Sequence, residues 1–185
     1  MTPAEATLEL RGAIAYQFPD LERVRALLEA GADPRAESVP GGGERSRPYI
    51  CLAIQAKQAG ERGLKTAKLF NEYFPGIWNT PYAWESARGR TFTPLAHRQA
   101  TLANPFSGKC PYWWWLERMV GAGLIDINAR SIHGTRPIHH VPSNELPRVM
   151  AAYAALGAEL APIELSRGER ALLRMRGLWV PEGAA

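Results

Sequence analysis

The chain has 185 residues, with 22 Lys and Arg against 18 Asp and Glu and a formal net charge of +4. That length suits one domain or one continuous array, long enough to bury a core without metal or disulfide staples. With 46% hydrophobic and 22% charged residues it is composed as a globular protein, which excludes a disordered chain, and no apolar run is long enough for a membrane span.

The charge is too small for a dedicated nucleic-acid binder. Two cysteines, Cys51 and Cys110, make no disulfide framework. The Met1–Glu5 opening lacks the basic-then-apolar order of a secretory signal. A cytoplasmic setting with no membrane partner is therefore expected. More unusual are the 17 Gly and 15 Pro, which recur along the chain between short apolar-periodic stretches. Such punctuation points to internal repeats.

Taken in chain order, Asp20 is a good N-cap for a helix whose face carries Leu21, Val24, Leu27 and Leu28, and Gly31 supplies its stop. Asp33-Pro34-Arg35-Ala36 and a flexible loop, Ser38–Gly43, follow. Pro48–Ile54 starts another helix, with Pro where the first turn needs no N–H. A long aromatic loop then runs from Pro75 to Arg90 and carries Trp78, Tyr82, Trp84, Arg88 and Arg90. Thr93-Pro94-Leu95-Ala96-His97 has the form of a third helix start, and Asn104–Tyr112 reads as a second unusual insertion. Beyond it, Tyr112-Trp113-Trp114-Trp115 leads into a helix stopped at Gly123, followed by Asp126-Ile127-Asn128-Ala129. A hairpin around Arg130 and His133 precedes Gly134-Thr135-Arg136-Pro137-Ile138-His139, and a helix through Leu146, Val149 and Tyr153 stops at Gly157. Pro162 to Met175 reads as a closing cap.

These shared helix starts and Gly stops resemble the ankyrin repeat, with its Thr-Pro-Leu-His opening, paired helices and Asp-x-Asn-Ala element. In the fourth copy the stop Gly157 follows the slot at Arg136 by 21 positions, the family spacing. Counting the same distance back from Gly31 reaches Leu10, which places Ala13-Ile14-Ala15 in the first helix of copy one. The third copy spans 30 positions from Thr93 to Gly123 and so carries an insertion. The resemblance implies an all-α ankyrin-type solenoid with repeats near 8–40, 46–78, 91–130 and 131–160 and a cap at 161–180.

What the resemblance implies for function is protein binding. Two modes are open: the hairpin tips with the inner helices, or the insertions, since loops on one face of a solenoid often bind. The candidate contacts are Trp78, Tyr82, Trp84, Arg88, Arg90, Tyr112, Trp114, Arg130 and His133. Trp78, Tyr82 and Trp84 serve equally well to pin their loop or to bind. Successive helical residues point about 100° apart, so three consecutive indoles cannot share one core. Trp113 and Trp115 are expected to fill space, and Trp114, in a polar slot, to meet a partner.

His139 occupies the family's structural His slot, and the histidines lack the spacing of a metal site. No nucleophile elbow, phosphate loop or His-Glu-x-x-His string is present, so neither catalysis nor a cofactor is expected. The expected partner is a toxin or effector enzyme, with the chain acting as an immunity protein that inhibits it. The alternatives are a phage-encoded inhibitor of a host defence complex, which at +4 could not mimic an acidic surface, and a basic nucleic-acid-associated scaffold.

Overall fold

A computed structural model describes residues 1–15, 19–42, 46–54, 56–86, 89–93, 97, 111–131, 134–141, 146–160 and 167–175. Among these, no helix is long and apolar enough to cross a membrane. The chain divides into two compact units: Met1–Trp78 with Ala83–Thr91, and Asn79–Tyr82 with Phe92–Ala185.

The first unit stacks two helix pairs. Helix α1, Pro3–Ile14, lies against α2, Leu21–Glu29, and α3, Pro48–Ile54, against α4, Ala56–Tyr73; α1 also contacts α3, and α2 contacts α4. Helix α1 begins well before the start inferred by counting back to Leu10. Thr2 and Glu5 form a reciprocal capping box, with Pro3 at the first helical position, and these fix the start locally. Asp20 caps α2 by accepting from the Glu22 and Arg23 amides at 3.1 and 3.2 Å. Seven-residue α3 is too short to persist alone. It is held because Tyr49, Ile50 and Leu52 are buried, as are Leu10, Ile14, Val24 and Leu27. Each such side chain contributes about 1.5–3 kcal/mol, more than the ~1 kcal/mol of a typical cap.

Gly60, at φ 49°, breaks the helical run of α4. The loop expected to be flexible is closed at its base, where the Ser38 amide donates to the Ser46 carbonyl at 3.1 Å; Gly43 lies outside the described residues. The long aromatic segment also departs from expectation. Tyr82–Ser86 (β1) and Gly89–Thr93 (β2) pair as a two-stranded hairpin. Its Tyr, Trp, Thr and Phe content suits strands, and the connection of two residues suits a tight hairpin. The architecture is otherwise helical, as the periodicity requires.

The second unit holds α5, Pro111–Gly121, a single 3-10 turn at Pro137–His140, α6, Leu146–Ala155, and α7, Arg167–Met175. An α-helix was expected to open at Pro137. It stops after one turn because Val141 is extended, at φ −68° and ψ 133°, as a residue before proline (Pro142) prefers to be.

The three expected stops are one motif. Gly31, Gly123 and Gly157 have φ of 88°, 69° and 82°. Their amides reach back to the carbonyls of Leu28, Val120 and Ala154 at 3.0, 2.9 and 2.9 Å. The following amides, of Ala32, Leu124 and Ala158, reach Leu27, Met119 and Tyr153 at 3.0, 2.9 and 2.9 Å. This is the Schellman arrangement, which satisfies carbonyls that a helix end leaves open. Helix α4 ends differently, because Pro75 has no amide to give. There the Gly76 amide turns to the Asn71 side chain at 3.0 Å.

Candidate protein-binding surface

The turns after two of these stops are also duplicates. Ala36 and Ala129 donate to the carbonyls of Asp33 and Asp126, both at 3.1 Å. The Asp33 and Asp126 side chains accept from the Arg35 and Asn128 amides at 2.9 and 2.8 Å. Two asparagines then act as clasps. Asn79 donates to the Leu124 carbonyl at 3.2 Å and accepts from the Asp126 amide at 2.9 Å. Asn128 does the same with Gly157 and Glu159, at 2.9 and 2.8 Å. In the first unit Thr7 fills the equivalent need, accepting from the Asp33 amide at 3.0 Å while donating to the Pro3 carbonyl at 2.8 Å.

On this frame the consecutive tryptophans of α5 meet three environments. Trp115 is buried beside Leu116 and Met119. Trp113 is half-buried and bridges to Tyr153 of α6, with ring centres 5.3 Å apart. Trp114 is half-buried, and the guanidinium of Arg118, one turn on, lies 3.9 Å from its ring centre. Cation and ring at i and i+4 lie next to each other on the helix surface. The pair presents an aromatic anchor already stacked on an arginine, the two residue types most often found as interface hot spots. The arginine was not read as a contact from the sequence, although its four-residue spacing from Trp114 was there to be seen.

Beside the second Asp turn, Arg130 is exposed. The Ser131 amide donates to the Thr135 carbonyl at 2.8 Å, and Gly134, at φ 73°, donates to the Ser131 carbonyl at 2.9 Å, closing the expected hairpin. His133 at its tip lies outside the described residues, as does Arg88. Under the hairpin runs a buried polar cluster. The Ser131 and Thr135 hydroxyls are 2.6 Å apart, and that of Thr135 is 2.9 Å from His140 Nε2. His97 Nε2 donates to the Thr135 carbonyl at 2.6 Å, and His139 Nδ1 accepts from the Arg136 amide at 3.0 Å. The Arg136 guanidinium pairs with the Glu159 carboxylate and donates to the Glu159 carbonyl at 3.1 Å.

Burial lowers both His97 and His139 to about 4, with the Arg136 charge adding to the effect on His139 and the Thr135 bond partly opposing it on His97. These imidazoles are neutral structural ties. Among the described residues no three His, Cys, Asp or Glu side chains are grouped as metal ligands. Burial pushes the Cys51 thiol up although Arg11 opposes it, the reverse of an activated nucleophile. Cys110 lies outside the described residues.

One candidate contact is corrected outright. Trp78 is 0% exposed: it stacks on Phe70, meets Tyr49 edge-on and donates its indole N–H to the Ala67 carbonyl at 3.0 Å. It pins the chain after α4 and offers nothing to a partner. Tyr82 and Trp84 sit on β1, Arg90 on β2 and Tyr112 in the first turn of α5. No protein-family profile matches the chain, and no curated protein or solved structure is significantly similar to it. What the chain can bind therefore rests on its own residues. Trp114, Arg118 and Arg130 are the candidate contacts whose side chains are placed in the second unit.

Proposed function

We propose that the chain is a degenerate ankyrin-type repeat scaffold that binds another protein and inhibits it, acting as an immunity protein toward a toxin or effector enzyme. The observation that carries the repeat reading is the recurrence of one joint. Three Schellman stops share one bonding pattern, two of them lead into duplicate Asp turns, and two are closed by asparagine clasps one residue apart in register. Joints whose backbone groups are satisfied in this way hold their own loops in place, and preorganised loops bind without a large ordering cost.

The contact face we assign is the Trp114–Arg118 pair with Arg130. The half-buried Trp114 with the guanidinium groups supplies the affinity, and rim charges steer the encounter. The test is co-expression of the tagged protein with the product of a neighbouring toxin gene, followed by recovery of the complex and rescue of growth. Trp114→Ala and Arg118→Glu should each weaken retention at least about tenfold, a change of about 1.4 kcal/mol or more. Arg88→Glu probes the hairpin connection in the same assay. Neither complex nor rescue, or a complex indifferent to all three substitutions, overturns the assignment.

A further inference from the structure

The closing helix α7 carries a charge pattern that solvation alone does not account for. Arg167, Arg170 and Arg174 fall at i, i+3 and i+7 and so share one face. Arg167 and Arg174 are exposed, Arg170 is half-buried, and the exposed Ala171 and Met175 lie beside them. Met175, at 73%, is the most exposed large hydrophobic side chain among the described residues. No carboxylate among the described residues pairs with Arg167 or Arg174.

The dipole favours a cation at Arg174, in the last turn, but the rest of the pattern runs against the helix's own electrostatics. Arg167 places a cation at the first residue of α7, where the helix dipole favours an anion. Arg170 and Arg174 are like charges one turn apart, an arrangement that disfavours a helix. The solvated outer face of α4 is built otherwise. There the exposed Glu61 and Lys65, and Lys68 and Glu72, alternate in sign at i and i+4. A face that only had to stay wet has a stabilising solution within this same chain, and α7 does not use it.

We propose that this face of α7 docks an acidic amphipathic helix of a partner protein, one with Asp or Glu at i, i+4 and i+7. The arginines are spaced by about 4.5 and 6 Å along the axis, the pitch at which carboxylates recur on a facing helix. Planar guanidinium groups pair with carboxylates through two parallel hydrogen bonds, which fixes register. Ala171 lets the partner backbone approach, and Met175 supplies an adaptable apolar edge. The surface uses none of the residues in the immunity-protein proposal, so either can fail without the other.

The experiment titrates the full chain into a fluorescent synthetic amphipathic peptide bearing Glu at those three positions. Saturable binding is expected, weakened at least about tenfold by Arg167→Glu with Arg174→Glu and less by the corresponding Gln pair. Exchanging the peptide's Glu for Lys should restore binding to the Glu variant but not to the wild type. Arg25→Glu with Lys65→Glu, on α2 and α4, should leave binding unchanged. Circular dichroism checks that every variant keeps its helical content. Equal binding by the α7 variants, failure of the charge exchange, or retention on phosphatidylserine vesicles or duplex DNA in place of the peptide overturns the proposal.

Discussion

At the residue scale, two buried histidines use different nitrogens of the same tautomer. His97 donates through Nε2, so a second proton would sit on its buried, unpartnered Nδ1, whereas on His139 it would displace the Arg136 amide that Nδ1 accepts. Both folded values, about 4, lie below the ordinary histidine value of 6.5. Between those limits the unfolded chain binds more protons than the folded one, so stability is intact above about pH 6.5 and is lost as pH falls toward 4. Urea unfolding at steps across that window should fall by up to about 1.4 kcal/mol per pH unit for each responding histidine. His97→Asn should flatten the slope; an unchanged slope would place the acid sensitivity elsewhere. The role of His139 was legible from its slot in the opening motif. That of His97, which depends on Thr135 far along the chain, was not.

The three glycine stops and the starts of α2 and α3 fall where the sequence places them, whereas α1 begins early and the turn at Pro137 ends early. A left-handed glycine is needed at a stop whatever surrounds it, so Gly31, Gly123 and Gly157 could be read locally. The start of α1 was equally local, in Thr2, Pro3 and Glu5, but a spacing rule borrowed from a family placed it at Leu10. The β1–β2 hairpin was read as loop because Glu85 and Arg90 break its apolar character. The motif at the end of α5 offers a paired test, since two glycines two residues apart should respond with opposite sign. Gly123→Ala forces a side chain into φ 69° and should cost about 1 kcal/mol, whereas Gly121→Ala, in open space within the helix, should gain about half that. Thermal unfolding of the two variants measures both. Asn128→Ala should cost about 1–2 kcal/mol by releasing two backbone groups, and Asn128→Asp less, since it keeps the acceptor for the Glu159 amide.

Across the whole molecule, stability is a small difference of about 5–15 kcal/mol between large terms. Leu27 is fully buried, so Leu27→Ala should cost about 2–5 kcal/mol and visibly shift the denaturation midpoint. Charge at this scale separates partners. Binding to a protein should weaken modestly with salt, whereas a phosphate backbone would release counterions and lose affinity steeply over the same range. The helical architecture was legible because it follows from periodicity, and the fate of Trp78 was not, because burial depends on what α4 and α3 bring to it.

The asparagine clasp has a consequence for how such a chain changes over time. Asn128 closes on the backbone of Gly157 and Glu159, at a helix end and just beyond it. A joint closed on backbone atoms sets no requirement on the side chains at the positions it holds. Side chains around such a joint can be exchanged while the hinge pins that hold the backbone keep their place.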